Sequence, residues 1–491
     1  MRILLLVVVG CLLVAHSAAA QFADSLQLAA GVVGTAATKG YQPLWIIANR
    51  YGTISDQQVD AAVYLRVSNQ HVFAKKQPAE TPGQVRKPGF YVGYGAALYN
   101  NNHLGSTFLN QGYVQAGYRT WQLRAGRQRE YTGEIDQSLS SGSFGISGNA
   151  LPIPKITLAV TDYTPIPFTH GWVQFKGQFA HGWLGDAEGI TNVFLHQKSL
   201  YLRVGKERWS FYGGLTHFAQ WGGTFPSGRA PSRFSDYLRI VAGASGNDAD
   251  PVYHQGPIDI DNAVGNHLLI PDFGVTFRKN NSTFRLYTQT IFDKGVGDSA
   301  NASQRDRLAG LKILWRDRLV GFSWETSRRS LLQKVLVEGI YTKYQGGPVI
   351  YQGRDNYYNN GTYIMGWQYQ GRIIGTPLFI NRAAAENYGF DLNANAISGW
   401  NIISNRLIGV HLGAKGNLSE RLTYRLLATH VLHYGNYYNT AYFTPAKNQT
   451  HLLLELPYRF PHFALAVAAA SDFGDLSNNA AGMLRCEWFL R

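Results

Sequence analysis

The fold is decided by residues 149–186, NALPIPKITLAVTDYTPIPFTHGWVQFKGQFAHGWLGD, and residues 195–223, LHQKSLYLRVGKERWSFYGGLTHFAQWGG. Two short runs of alternating polarity lie inside this stretch. In the first run, one side carries Val173, Phe175, Gly177 and Phe179, and the other carries Gln174, Lys176 and Gln178. In the second run, Leu200, Leu202 and Val204 alternate with Tyr201, Arg203 and Gly205. Because successive side chains of a strand point to opposite faces, each run predicts a β-strand with one apolar face and one polar, cationic face.

The same alternation recurs along the chain. Further runs occupy residues 59–67, 90–98, 112–118, 121–125, 273–277, 284–286, 309–315, 320–324, 408–412, 452–458, 463–467 and 484–490. Tight links such as residues 280–282 alternate with long polar ones, namely residues 75–87, 293–307, 345–361 and above all 221–267. Short turns at one end and long loops at the other are typical of an outer-membrane β-barrel, and about 25 residues per strand and connection predict about 16 to 20 strands.

The N-terminus has the anatomy of a secretory signal, with Met1-Arg2, an apolar run to Val14 and Ala18-Ala19-Ala20. We expect residues 1–20 to be a signal peptide. Residues 21–58 precede the first clear strand and are predicted to form a periplasmic segment, either a cap or a plug, ahead of a barrel over residues 59–491. Cys486 is then the only cysteine of the mature chain, which excludes an internal disulfide and a cysteine-based metal site.

Composition favours the same class. Aromatic residues make up 13% of the chain and charged residues 15%, with 53 glycines, and no later segment has the about 18 apolar residues of a membrane helix. The alternative is a secreted, soluble β-protein. The net charge of +14 indicates arginines that line a polar lumen or meet anionic lipid headgroups. A second interpretation is a partner that is an acidic polysaccharide or a phosphate-rich surface glycan. Nucleic acid is not an expected partner.

The chain lacks the motifs of common catalytic sites. It has no nucleophile elbow, HExxH, phosphate-binding loop or dinucleotide motif, so we expect no enzyme activity and no cofactor. The 14 histidines show no metal-ligand spacing, and Asp259 to Asn262 lacks the glycine and distal glutamate of a calcium loop, so no metal site is predicted.

Sugar recognition is the chemistry that the polar segments favour. Residues 345–369, QGGPVIYQGRDNYYNNGTYIMGWQY, combine flat aromatic rings with side chains that bond hydroxyl groups. The alternative is that the rings belong to a barrel girdle and Asn-Gly to a turn. We predict that polysaccharide contacts the two outer loops, residues 221–267 and 345–361, through Trp221, Arg229, Arg233, Arg354, Asp355, Tyr357 and Tyr358. Lipid should contact Val320, Phe322 and Trp324, with Ser323 and Glu325 in the lumen.

Six phrases carry a resemblance to a known family. They are PLWIIANRYG (43–52), NALPIPKI (149–156), FKGQFAHGWLGD (175–186), LHQKSLYLRVGK (195–206), GLTHFAQWGG (214–223) and DNYYNNGTYIMGWQYQGRIIGTPL (355–378). The chain resembles the Wzi-type capsule assembly family. The resemblance implies an outer-membrane barrel of about 18 antiparallel strands and a lectin-like role in holding or organising surface polysaccharide. A general or sugar-selective porin shares every barrel feature, but the long connection of residues 221–267 favours a blocked mouth.

Overall fold

The computed structural model describes residues 26–73, 89–226, 228–243, 264–293, 317–345, 355–393 and 399–489. An 18-strand antiparallel barrel is its main feature. The wall strands are β1 (Gln27–Tyr41), β2 (Gln57–Val72), β3 (Phe90–Asn101), β4 (Ser106–Tyr118), β5 (Trp121–Arg127), β6 (Lys155–Pro165), β7 (Val173–Ala187), β8 (Ile190–Gly205), β9 (Trp209–Phe225), β11 (Asn266–Lys279), β12 (Ser282–Thr290), β13 (Arg318–Thr326), β14 (Lys334–Tyr341), β19 (Leu407–Asn417), β20 (Thr423–His433), β21 (Lys447–Arg459), β22 (Phe463–Gly474) and β23 (Asn479–Phe489).

Short elements lie in the connections between wall strands. The two-residue strand β10 (Gly228–Arg229) pairs with the end of β9. Two small hairpins are formed by β15 (Gln368–Tyr369) with β16 (Arg372–Ile373) and by β17 (Ile380–Asn381) with β18 (Ile402–Ser404). The described residues form the helices α1 (Leu44–Ile47), α2 (Phe234–Ala242) and α3 (Arg382–Asn387), with a 3-10 turn at Thr440–Phe443. Within the described ranges, no helix is long and apolar enough to cross a membrane.

The barrel closes through its first strand, which corrects the expected N-terminal boundary. Strand β1 pairs with β2, with Val32 opposite Val63, and with β23, with Val32 opposite Cys486. The boundary expected after residue 58 is therefore wrong. The small residues of β1 hid the alternation, and they have a packing reason: a Cβ at Gly31 would lie 2.3 Å from the Tyr64 ring. Residues 1–25, which include the expected signal peptide, lie outside the described residues.

The two ends of the barrel differ in the length of their connections. One end has short links at residues 119–120, 206–208, 280–281 and 460–462, and it also holds the longer connection from β2 to β3, residues 73–89, which we had expected among the long links. The other end has the long connections at residues 42–56, 128–154, 226–265 and 342–406. Because periplasmic turns of such barrels are short and extracellular loops long, the second end is the extracellular one. Helix α1 therefore lies on the extracellular side, opposite to the periplasmic position that we expected for its segment.

The outer face of the wall is apolar. Val320 and Phe322 are 39% and 46% exposed, whereas Ser323, which follows Phe322, is 3% exposed. The predicted alternation of lipid-facing and lumen-facing positions in β13 is thus confirmed at these residues. Exposed Leu, Val and Phe side chains continue this band around the wall, with Trp172 and Trp209 near its periplasmic edge. An apolar outer band of this kind is what a membrane-spanning barrel requires.

The lumen is crossed by residues 128–154, which we call the inner segment. Three of its carboxylates pair with lysines of the wall: Glu130 with Lys155, Glu134 with Lys176, and Asp136 with Lys334 at 2.6 Å. The cationic face that the sequence predicts for strand β7 thus points into an enclosed lumen. Further along, Glu338 of the wall accepts hydrogen bonds from Ser140 Oγ at 2.6 Å, Ser141 N at 2.8 Å and Tyr287 Oη at 2.5 Å. The inner segment is therefore fixed to the wall by charged and polar contacts.

A second stretch, residues 355–381, packs on the inner segment. Trp367 Nε1 donates to Gly145 O at 2.9 Å, and Ser147 N donates to Ile374 O at 3.0 Å. Phe144, Trp367 and Ile374 are all buried in the main hydrophobic core. The core of the molecule thus lies inside the barrel, where two extracellular connections meet.

Candidate functional site

The predicted site residues of the second loop lie inside this core. Tyr357 is 0% exposed and its hydroxyl donates to Asp317 Oδ2 at 2.7 Å. Tyr358 is 1% exposed and its hydroxyl donates to the Phe144 carbonyl at 2.5 Å. Asp355 is buried as well. These side chains belong to the packing inside the barrel, and in this structure neither tyrosine ring is open to a ligand.

The predicted residues of the first loop lie elsewhere. Trp221 is buried in a small cluster with Ala219, Ile240 and Val264. Arg229 and Arg233 are exposed near helix α2, and Arg354 falls outside the described residues. The structure therefore does not bring the six described residues of this prediction into one site. The role of the predicted residues in binding polysaccharide stays a prediction.

A different concavity opens at the extracellular end. It is a cleft of about 110 Å³ between the connection from β1 to β2 and residues 371–388. We call it the mouth cleft. Its lining includes Gln42, Leu44, Asp56, Asn149, Arg372, Ile373, Phe379, Asn381, Ala383, Asn387, Tyr388 and His451. The cleft combines amide, carboxylate, guanidinium and aromatic groups, so it can hold a polar ligand that also has an apolar face.

One amide of the mouth cleft has spare hydrogen-bonding capacity. Gln42 is buried, and its Nε2 donates to Gln57 O at 2.6 Å and to Gln58 O at 2.9 Å. Among the described residues, its Oε1 has no hydrogen-bond partner. A buried acceptor left without a donor costs about 1–3 kcal/mol. A hydroxyl group entering the cleft would remove this cost.

The rim and wall of the cleft are held by hydrogen bonds. Arg372 Nη2 donates to Ile54 O at 2.7 Å, which ties the two sides of the cleft together. Burial lowers the pKa of the Arg372 guanidinium, and the nearby charge of Asp56 acts in the opposite direction. Asn381 Oδ1 accepts from Ala384 N at 3.0 Å and caps helix α3. The rim is thus positioned before any ligand arrives.

Tyr388 provides an aromatic side chain in the lining of the mouth cleft. The ring of Tyr388 meets Tyr41 edge to face, with 5.9 Å between ring centroids. Burial raises the pKa of the Tyr388 hydroxyl, as do Asp472 and Tyr41. The phenol is therefore neutral at physiological pH and can both donate and accept a hydrogen bond. Deeper in the cleft, His451 Nδ1 lies 2.7 Å from Asp472 Oδ1, and Leu44 N donates to Asp472 Oδ2 at 2.9 Å.

A second polar and aromatic surface lies at the rim near the end of the chain. Trp400 and Tyr438 stack with 4.8 Å between centroids, and Tyr438 is exposed. Beside them, Lys343 Nζ lies 3.8 Å from the Tyr434 ring and Arg406 lies 3.9 Å from the Tyr437 ring. Sequence reasoning missed this rim patch, although residues 434–442, YGNYYNTAY, have the same aromatic and amide content as the predicted loop.

The described residues provide no metal centre. In the ranges that the structure covers, no group of three or more His, Cys, Asp or Glu side chains is arranged to hold a metal ion. The mouth cleft and the rim patch are built from hydrogen-bonding groups and aromatic rings.

Comparison with known proteins gives the family. The model described as capsule assembly protein Wzi matches residues 48–386, more than two thirds of the 491 residues. No curated protein matches the chain. Among solved structures, Escherichia coli Wzi, an outer membrane protein involved in group 1 capsule assembly and a carbohydrate-binding β-barrel, aligns with a TM-score of 0.53 and 12% identity over 93% of this chain and 83% of that chain.

Two further solved barrels are more distant. Pseudomonas aeruginosa OccK5 (OpdH) aligns with a TM-score of 0.47 and 8% identity over 96% of this chain and 99% of that chain. Vibrio cholerae OmpT aligns with a TM-score of 0.37 and 5% identity over 95% and 99%. The likeness to Escherichia coli Wzi supports the barrel fold, and the matched region includes the inner segment and most of the mouth cleft. The chain belongs to the capsule assembly protein Wzi family.

Proposed function

We propose that this barrel binds capsular polysaccharide at the cell surface and helps to assemble or retain it. Membership of the capsule assembly protein Wzi family is the observation that carries the proposal. The related barrel of Escherichia coli is described as carbohydrate-binding, and it shares this fold. The role is one of binding rather than catalysis, because the mouth cleft holds hydrogen-bonding groups around a concavity and the sequence has none of the catalytic motifs sought above.

The mouth cleft is the proposed contact for a sugar residue of the polymer. It faces the extracellular side, and its size of about 110 Å³ suits one small ring or a branch. The free Oε1 of Gln42 can accept a bond from a hydroxyl group, and the Tyr388 phenol can both donate and accept one. The exposed ring of Tyr438 in the rim patch offers a flat surface to a neighbouring part of the same chain.

The proposal includes an acidic polymer as the favoured ligand. Arg372 lies at the mouth cleft, and Lys343 and Arg406 lie in the rim patch. Guanidinium groups bind carboxylates through two parallel hydrogen bonds, so they suit acidic sugars. Binding to such a polymer should weaken as salt rises, since exposed charges are screened beyond about 8 Å at physiological ionic strength.

An occluding substitution tests the site without removing a contact. Ala383 is exposed on helix α3 and lines the mouth cleft. Ala383→Trp should fill the cleft and lower the affinity of the purified barrel for capsular polysaccharide by at least about tenfold, which is about 1.4 kcal/mol. Cells that carry the variant should shed capsule while the amount of folded barrel, measured by heat-modifiable mobility, stays unchanged.

The matched control is Glu386→Trp on the same helix. Glu386 is exposed but does not line the cleft, so its substitution should leave polysaccharide binding and capsule retention as in the wild type. Equal binding by the wild type and both variants would remove the mouth cleft from the site. Binding that fails in both variants alike would point to damage of helix α3 rather than to occlusion.

The filled lumen favours this function over the porin alternative. The inner segment, which connects β5 to β6, crosses the lumen and is anchored on wall residues such as Lys334 and Glu338. Planar-bilayer recordings of the purified protein should therefore give far smaller unit currents than an open porin of similar strand number. Large, steady currents that a free sugar blocks would support the sugar-selective porin instead.

A further inference from the structure

The extracellular part of strands β7–β11 has an unusual outer face. Gln197 Oε1 accepts from Lys155 Nζ at 2.7 Å, and the Phe218 ring lies 5.1 Å from Trp367, so both side chains point into the lumen. Their neighbours His196 and His217 must then point outward, because side chains alternate along a strand. Register places more residues on the same outer rows, namely His181, Phe194, Ala219, Trp221 and His267.

Helix α2 covers this outer face. Its Tyr237 ring lies 5.1 Å from Trp221 and 5.7 Å from His196, and Tyr237 Oη is 3.3 Å from His196 Nδ1. Ile240 of the helix is fully buried against the Trp221 cluster. At the end of the helix, Lys198 Nζ of the wall donates to the Val241 carbonyl. The connection after β9 thus folds back over the outside of the barrel.

The position of α2 differs from the place expected for the long connection. We expected residues 221–267 to lie over the mouth of the barrel. In the described parts of that connection, helix α2 lies on the outer wall. The lumen is filled by the inner segment and residues 355–381 instead, while residues 244–263 lie outside the described residues.

We propose that helix α2 is a docking surface for phosphate-bearing glycolipid of the outer leaflet, with its apolar stripe against acyl chains and its flanking arginines at the headgroup phosphates. Each part of this proposal rests on a separate observation. These are the height of the helix on the wall, its exposed apolar stripe and the charges around it.

The height of the helix matches the outer edge of the membrane. His196, which the helix covers, lies about 20 Å above Val204 along the barrel axis, at about 3.3 Å per residue and a strand tilt of about 40°. The apolar band of such barrels is about 25 Å tall. Below the helix, Leu200 and Leu215 are exposed on the same outer face. Helix α2 therefore continues the lipid-facing surface at its upper boundary.

The outward side of α2 is apolar. Phe234 is 75% exposed and Leu238 is 53% exposed, and they are four residues apart on one side of the helix. Tyr237 and Ile240 occupy the side that packs on the wall. A helix with large apolar residues on both sides is unfavourable in water. It is stable at an interface where one side meets protein and the other meets acyl chains.

Among the described residues next to α2, positive side chains outnumber negative ones. Arg229 and Arg233 are exposed just before the helix, and Arg239 lies in its last turn. The carboxylate of the helix, Asp236, is buried and accepts from Arg233 N at 2.8 Å as part of the helix start. Arginine binds phosphate through paired hydrogen bonds, so these side chains favour an anionic headgroup over a neutral one.

The first experiment locates the helix relative to lipid. The mature chain, without the expected signal peptide of residues 1–20 and its Cys11, carries Cys486→Ser and one new cysteine, Leu238→Cys or Leu104→Cys. The new cysteine is labelled with a fluorophore, and the protein is reconstituted in bilayers of phosphatidylcholine with bisphosphorylated lipid A. Leu104 is the control because it is equally exposed, at 53%, but lies in the extracellular turn after β3. Lipids that carry a quencher just below the headgroup should quench the label at 238 at least about threefold more strongly than the label at 104.

The second experiment tests the phosphate. Arg229→Gln with Arg233→Gln should lower the amount of bisphosphorylated lipid A that stays bound in native mass spectra by at least about threefold. The Gln variant should bind dephosphorylated lipid A as the wild type does. The variant with Arg229→Lys and Arg233→Lys should still retain more bisphosphorylated than dephosphorylated lipid A, because it keeps the positive charges. Equal quenching at 238 and 104 would overturn the lipid contact. If the wild type and the Gln variant retained both lipids equally, the preference for phosphate would be overturned. If quenching at residue 238 were lost when the protein forms a dimer, the helix would instead contact a second copy of the chain.

Discussion

Two long connections leave the same end of this barrel and go in opposite directions. The inner segment, residues 128–154, enters the lumen and meets the wall through Glu130, Glu134 and Asp136. The connection after β9 turns outward and lays helix α2 on the outer wall through Tyr237 and Ile240. Each segment thus matches the chemistry of the face that it covers.

The two segments are held in place by different kinds of contact. The lumen face presents lysines and buried polar groups, so a segment rich in carboxylates and serine hydroxyls can satisfy them. The outer face presents aromatic and imidazole rings above an apolar band, so the side of helix α2 with Tyr237 and Ile240 can pack there. Its side with Phe234 and Leu238 is exposed. Charged contacts inside the lumen should therefore be costly to remove, whereas removing apolar contacts of α2 should have a local effect.

The largest effect is expected where the inner segment meets Glu338. Its carboxylate is buried and accepts bonds from Ser140, Ser141 and Tyr287. Glu338→Ala should lower the free energy of unfolding by about 3–6 kcal/mol, because several donors lose a charged acceptor at about 1.5–3 kcal/mol each. Thermal unfolding measures this, and bilayer conductance should rise as the inner segment detaches. Glu420→Ala, at an exposed carboxylate of the short-turn end, is the control and should change neither quantity.

The outer wall away from helix α2 gives the next effect. Phe322 is exposed in the middle of β13 with Val337 as its cross-strand neighbour. Phe322→Arg should cost about 2–4 kcal/mol if the site lies near the bilayer midplane, because a guanidinium is then placed among acyl chains. Phe322→Leu should cost much less. Urea titration of refolding into vesicles measures both, and equal losses would contradict the assignment of this face to lipid.

The sequence predicts the wall better than the segments that cover it. Alternation is a local property, so positions such as Phe322 and Ser323 could be assigned to faces without knowing any partner. Strand β1 was missed because its Gly, Ala and Thr residues carry little polarity contrast, and the reason for Gly31 is the ring of Tyr64 on the next strand. Local pattern therefore predicts a strand only where side chains differ in polarity.

The candidate site could not be predicted for a related reason. Tyr357 and Tyr358 have the composition of a sugar-binding surface, but their burial depends on Asp317 and the Phe144 carbonyl, which are distant in sequence. The mouth cleft is assembled from residues 42–56, Asn149 and residues 371–388. No window of sequence contains such a site, and tertiary contacts such as the hydrogen bond from Arg372 to the Ile54 carbonyl bring its parts together.

The contribution of Ile240 to the packing of helix α2 on the wall can be tested by truncating this buried side chain. Ile240→Ala should cost about 2 kcal/mol locally, the lower end for removing a buried isoleucine side chain. Hydrogen exchange of residues 234–242 should accelerate, while the thermal midpoint of the barrel stays nearly unchanged because the wall strands keep their pairing. A fall in the barrel midpoint equal to that of Glu338→Ala would mean that the outer segment is as integral to the fold as the inner one. Val241→Ala, one residue further along and half-buried, is the milder control.

The smallest expected effect is a pH dependence of stability that the inner segment should show and helix α2 should not. Burial would raise the pKa of the Asp136 carboxyl, but the charge of Lys334 and hydrogen bonds from Lys334 and Ser138 outweigh it, and the pKa lies below its ordinary value of 3.8. Because the folded-state pKa is lowered, this pair stabilises the inner segment at neutral pH and loses its contribution as pH falls through the ordinary carboxylate range and below. The thermal midpoint of the wild type should therefore drop more between pH 6 and pH 3 than that of Asp136→Asn, with exposed Asp162→Asn as the control that keeps the wild-type slope. Exchange protection of helix α2 at Phe234–Ala242 should not follow the Asp136 difference, since its contacts with Trp221 do not involve this pair. If the inner segment and helix α2 lost exchange protection together as the pH falls, the stabilities of the two segments would be coupled. The two segments would then differ in the chemistry of their contacts but not in their stability.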